Sequence, residues 1–154
     1  MHARYFDGFK VGEKFETRAT TLTEGQMIGF STEYDPQPIH TDRTASQKGI
    51  HGDIISSGLQ TLGLANRLWI ELGLMGVNNL GGPGLDEVRW PRPVFAGDTL
   101  RTVVVVLEAR TSKSKPDRGI LTFGFTTYNQ NSEVVMTYKC VDILRRDPNV
   151  VEGR

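Results

Sequence analysis

Ile55, Leu59, Leu62, Ala65, Trp69 and Leu72 recur at steps of three and four, the spacing of one face of an α-helix. Ile54, Leu64, Leu68 and Ile70 widen that face until only Gln60, Arg67 and Glu71 form a polar strip, so the helix is expected to be enclosed on most sides. Gly58 and Gly63 sit inside this pattern. Each costs about 1 kcal/mol of helix propensity relative to alanine, which makes sense if another backbone or a ligand comes close there. The chain is thus expected to build itself around one central helix.

What surrounds that helix is mostly strand. Leu100 to Ala109, Ile120 to Tyr128 and Val134 to Leu144 are long β-rich segments, and Leu121, Phe123, Phe125 and Thr127 alternate with Thr122, Gly124, Thr126 and Tyr128. Asn129 to Ser132 reads as a hairpin turn, which makes the pairing antiparallel. Upstream, Phe15 to Leu22 looks like a first strand, and Thr23 and Gln26 stand at capping-box spacing before a short helix carrying Met27, Phe30 and Tyr34. Pro36 should stop that helix near Asp35, and Pro38 should keep Asp35 to His40 a stiff extended loop. Gly73 to Gly84 reads as a Gly- and Asn-rich loop. Strands segregated from helices in this way indicate α+β: a long antiparallel sheet wrapped around a central helix.

With 154 residues and no repeat or linker, the whole of 1–154 is expected to be one domain with a full core. The single cysteine, Cys140, makes no intramolecular disulfide, so a reducing cytoplasm is the expected compartment. Eighteen basic residues balance 18 acidic ones, which argues against a nucleic-acid partner. No apolar run approaches a bilayer span, and Met1 to Gly12 lacks the apolar core of a signal peptide, so no membrane partner is expected. His51 reads as a loop histidine, His2 as part of a mobile terminus, and neither is placed in a metal set.

The segment that carries chemistry is Tyr34-Asp35-Pro36-Gln37-Pro38-Ile39-His40. An acid and an imidazole five positions apart, held by two prolines, can activate a water bound between them. The same residues would equally serve as a helix end, a proline turn and a hydrogen-bonded histidine, and spacing alone does not choose. The motif resembles that of the MaoC-like dehydratases and (R)-specific enoyl-CoA hydratases, in which an Asp, any residue, an Asn, a Pro, an aliphatic residue and a His follow in order. Asp35, Pro38, Ile39 and His40 match, while Gln37 stands in place of Asn and lengthens the amide's reach by a methylene. Ile54-Ile55-Ser56-Ser57-Gly58 and Arg92-Pro93-Val94-Phe95-Ala96-Gly97-Asp98-Thr99-Leu100 resemble two further family blocks in the right order. The likeness runs from about Phe6 to Leu144.

This resemblance implies the hot-dog fold and reversible hydration of an α,β-unsaturated acyl thioester, with coenzyme A as the substrate's carrier and no separate cofactor. It implies catalytic roles for Asp35 and His40, which would hold one water. Gly58 matches the family glycine, and its N–H at a helix N-terminus would bind the thioester oxygen. Gln37 and Ser57 are candidate substrate-binding residues, as are Lys113 and Lys115, which with Arg110 and Arg118 form a basic loop suited to the carrier's phosphates at the pocket mouth, supplied by this chain or by a partner subunit. Asp98 reads as a turn residue. The Gly73 to Gly84 loop could line the acyl pocket, and Trp69 and Trp90 could limit its depth. An exposed sheet edge points to a homodimer or a dimer of dimers. Two other functions remain open: acyl-CoA thioester hydrolysis, and acyl-thioester binding without catalysis.

Overall fold

The computed structural model describes residues 3–152, so His2 lies outside the described residues. Its backbone is a single antiparallel sheet built from β1 (Lys14–Glu16), β2 (Thr20–Thr21), β3 (Gly84–Arg89), β4 (Thr99–Thr111), β5 (Arg118–Tyr128) and β6 (Val134–Arg145). Strand order is β1-β4-β5-β6-β3, with β2 also pairing with β4. The helices are α1 (Glu24–Tyr34), α2 (Pro38–Thr41), α3 (Arg43–Gln47), α4 (Gly58–Glu71) and α5 (Pro148–Val151). No helix among the described residues is long and apolar enough to cross a membrane.

The alternation read in β5 sets the core. Leu121, Phe123, Phe125 and Thr127 are all buried, and they face the same side as Leu100, Thr102, Val104 and Val106 of β4. Helix α4 lays Ala65 and Trp69 on this face, where Trp69 packs between Phe15, Phe123 and Phe125. A second cluster of Leu22, Met27, Ile54, Val94, Leu100 and Val135 fills the end beneath α1.

Several expectations change in detail. The first strand is two pieces. Glu16 pairs with Val103 and Thr20 with Leu100, so three residues oppose two, and this one-residue bulge breaks the run. The central helix starts at Gly58, because the Ser57 hydroxyl caps it and accepts the Leu59 N–H at 3.2 Å. Ile54 and Ile55 are extended, Ile55 bridging to Phe95. Nor is α4 enclosed on most sides: the sheet covers one face, leaving Leu59 and Ile70 exposed, while Thr61 is buried. A Cβ at Gly63 would meet nothing within 4 Å, so no close approach explains that glycine. Pro38 starts the helical turn α2 rather than extending the chain, because proline at a first helical position forfeits no hydrogen bond. Arg110 and Arg118 belong to β4 and β5, so the basic loop is shorter than the sequence implies.

Candidate active site

Asp35 ends α1 and His40 lies in α2, so the intervening prolines turn the chain back and bring the two side chains face to face. His40 Nε2 stands 3.4 Å from Asp35 Oδ2. The imidazole is almost wholly buried, whereas the Asp35 side chain keeps 18% of its surface and is open to a small molecule. His40 Nδ1 lies 2.8 Å from the Ile55 carbonyl oxygen. A carbonyl can only accept, so Nδ1 carries the proton, and in the neutral ring Nε2 turns its lone pair toward Asp35.

Both carboxylate oxygens are held. The Ser57 hydroxyl donates to Oδ2 at 2.6 Å, and the Gln37 side-chain amide donates to Oδ1 at 2.7 Å. These bonds, Ser57 first and Gln37 second, hold the Asp35 carboxyl below its ordinary range, with burial opposing. Asp35 is therefore an ionised carboxylate at neutral pH. The fully buried Ser57 hydroxyl thus makes two bonds, one to Asp35 and one capping α4, and locks the acid to the helix N-terminus.

A cavity of about 470 Å³ opens on this pair, within the usual size of small-molecule sites. Gly58 lines it, and its N–H has no hydrogen-bond partner among the described residues. That N–H is one of the orphan donors at the positive end of α4. A Cβ on Gly58 would fall 2.7 Å from the Trp90 indole, so the close approach suspected of this glycine is real. Trp90 Nε1 donates to the Gly58 carbonyl at 3.1 Å.

The structure brings Asp35, His40, Gly58 and Gln37 together at the cavity. Ser57 has a role other than the expected one. Its hydroxyl is occupied by Asp35 and Leu59, so it positions the acid rather than reaching a substrate. Lys113 and Lys115 do not line the cavity. They lie in the β4–β5 turn, at the opposite end of the 13-residue β4 from Asp98, roughly 40 Å along a strand rising about 3.3 Å per residue. The Gly73 to Gly84 segment also lies elsewhere: Leu74 and Met75 are buried in the main core, as is Trp69. Of the two tryptophans only Trp90 walls the cavity, joined by Pro91, Arg92, Pro93 and Val94. Asp98 is a turn residue as read, accepting from the Phe95 N–H at 2.9 Å and the Gln130 amide at 2.8 Å.

Two features of the site carry no signal in the sequence. His51 is exposed but lines the cavity, although nothing in its spacing to Asp35 marks it. The Ile55 carbonyl orients His40, and a backbone acceptor has no side-chain signature to find.

The MaoC-like domain model matches residues 8–129. The uncharacterized protein YdeM of Bacillus subtilis is 33% identical over 140 residues, covering 91% of this chain and 98% of that protein. A MaoC-like dehydratase from Rhodospirillum rubrum superimposes with a TM-score of 0.85 at 31% identity, covering 95% of this chain and 99% of the other. An R-hydratase from Pseudomonas aeruginosa shares the fold, with a TM-score of 0.75 at 22% identity over 93% of this chain and 86% of its own. A Mycobacterium tuberculosis protein described as a double hot-dog fold gives 0.76 at 21% identity, over 96% of this chain and 46% of its own. The sheet and central helix described above are accordingly a hot-dog fold.

Proposed function

This chain belongs to the MaoC-like domain family, and on that footing we propose that it reversibly adds water across the α,β double bond of an acyl thioester, with coenzyme A as the carrier. The observation that carries this reading is the Asp35–His40 pair, 3.4 Å apart, on the same cavity as the unpartnered Gly58 N–H. A separation of 3.4 Å is too long for a strong direct hydrogen bond. Carboxylate oxygen and ring nitrogen therefore both keep electron pairs for the protons of one water.

In the forward direction the thioester oxygen accepts the Gly58 N–H, which stabilises the enolate-like charge that builds there as the water oxygen attacks carbon 3. The pair takes a proton from that water and returns one to carbon 2 on the same face, so its own protonation is restored at the end of the turnover. Asp35 and His40 share the proton as a coupled unit, and the step belongs to the pair. Ser57 and Gln37 fix the carboxylate so that no reorganisation is needed during attack. We further propose a cytoplasmic homodimer, or a dimer of dimers, as the working form.

The deciding experiment follows two products at once. Hydration removes the conjugated enoyl chromophore without releasing thiol, hydrolysis releases thiol, and binding alone does neither. Asp35→Asn and His40→Ala should each fold and lower hydration by about 10²–10⁴-fold. The double variant should lose much less than the product of the two, because both act on one water. Near-normal turnover by Asp35→Asn, or thiol release in place of chromophore loss, would overturn the reading.

A further inference from the structure

We propose that Arg92 is the receptor for an anionic oxygen group of the thioester ligand, a phosphate or a carboxylate, so that its guanidinium fixes the charged part while Asp35 and His40 work on an uncharged one. This rests on the hydratase reading, which makes the ligand an acyl thioester. Among the described residues that line the cavity, Arg92 is the only lysine or arginine. Lys113 and Lys115, expected at the carrier's phosphates, stand beyond the far end of β4, so within one chain the permanent positive charge that such an anion meets at the cavity is Arg92.

The guanidinium is held in place and yet not used up. Arg92 stands between Pro91 and Pro93 in the connection from β3 to β4, where the fixed proline φ angles leave its backbone little freedom. Nη1 donates to the Val134 carbonyl at 3.2 Å, at the start of β6. Nε lies 3.6 Å from Glu133 Oε1, an ion pair too long to be a hydrogen bond. Nη2 has no partner among the described residues. Glu133 is committed elsewhere, since its other carboxylate oxygen accepts the Asn129 side-chain amide at 2.9 Å. Arg92 therefore keeps N–H donors for a ligand, and with 49% of its side-chain surface exposed an anion can reach it from solvent. Charge also sets how the ligand lies. Asp35 lines the same cavity as an ionised carboxylate and disfavours an anion beside it, whereas Arg92, on a different element, attracts one. A thioester with its negative group at Arg92 leaves the uncharged enoyl carbons for Asp35 and His40.

The test is KM and kcat, followed by chromophore loss, in the parent, Arg92→Gln, Arg92→Lys and Glu133→Gln. The substrates are crotonyl coenzyme A, crotonylpantetheine, which is the same thioester without phosphates, and glutaconyl coenzyme A, which adds a terminal carboxylate. Arg92→Gln should raise KM about tenfold for the anionic substrate, with a smaller change in kcat, because a contact away from the reacting carbons is mostly uniform binding. If the phosphates are the anion, both coenzyme A substrates suffer that loss and crotonylpantetheine does not; if the acyl carboxylate is the anion, glutaconyl coenzyme A alone suffers it. Arg92→Lys, which keeps the charge, should recover part of the loss. Glu133→Gln, which removes the competing carboxylate, should lower KM for the same substrate by about two- to threefold, a change that a merely structural Arg92–Glu133 pair would not produce. Should Arg92→Gln fail to fold, Glu133→Gln carries the test alone: KM for an anionic substrate falls, or the proposal fails. Equal losses on all substrates, crotonylpantetheine included, or no loss on any, overturn it while leaving the hydratase reading standing. Calorimetric binding of butyryl coenzyme A, butyrylpantetheine and glutaryl coenzyme A, which have no double bond to hydrate, reads the same contrast without turnover. If no enoyl thioester is hydrated, the hydratase reading fails, and that binding contrast still decides the role of Arg92.

Discussion

Among single residues, Ser57 has the most to do. One hydroxyl caps α4 and pins Asp35, so its loss should be felt in both stability and titration. Ser57→Ala removes the cap, at a cost of about 1 kcal/mol, and the strongest of the interactions that hold the Asp35 carboxyl low. A carboxyl with a depressed folded-state pKa contributes stability above its unfolded value and loses it as pH falls through the folded value. Taking Ser57 away therefore raises the Asp35 pKa toward the ordinary range. The acid limb of the kcat/KM profile should move to higher pH in Ser57→Ala, while Ser57→Thr, which keeps a hydroxyl, should stay near the parent. An acid limb that does not move would mean that Asp35 is not the group titrating there.

Among the elements, β6 carries a buried carboxyl that the proposed chemistry does not use. Asp142 is 7% exposed and has no cationic partner within ion-pair distance among the described residues. Burial pushes its carboxyl above the usual range, opposed by the Cys140 thiol, whose Sγ lies 3.6 Å from Oδ2, and by the Asn79 amide. The sign is opposite to that of Asp35: stability is fully present below the ordinary carboxylate pKa and lost as pH rises through the raised folded value. Asp142→Asn keeps the shape without the charge. Its Tm should exceed the parent's at neutral pH by about 2–4 °C for each kcal/mol relieved, and the gap should close as pH is lowered. A lower Tm for Asp142→Asn at neutral pH would show that the ionised form is needed.

For the molecule as a whole, the sheet ends on β3, whose outer side has no strand partner among the described residues. Leu85 in that strand and Leu59 and Ile70 on α4 are exposed. An open edge and uncovered apolar side chains are surfaces that a second copy would cover. Light scattering at micromolar concentration should report at least a homodimer. A fully active monomer there would remove the assembly from the model.

The layout was legible in the amino-acid order: one helix rich in apolar residues, three long antiparallel strands, and an acid and histidine close in the chain. Each signal is local, since alternation reports a strand's buried face, three-four spacing reports a helix, and the Asp35 to His40 motif is one short peptide. Whatever depends on residues distant in the chain waited for the fold. Packing presses Trp90 onto Gly58, gives His40 its proton orientation through the Ile55 carbonyl, turns Ser57 from a candidate ligand into the support of Asp35, and sends Lys113 and Lys115 to the far end of β4. All four have one cause: where a residue stands relative to the site is set by how whole elements pack, and that leaves no periodic pattern in the amino-acid order to read.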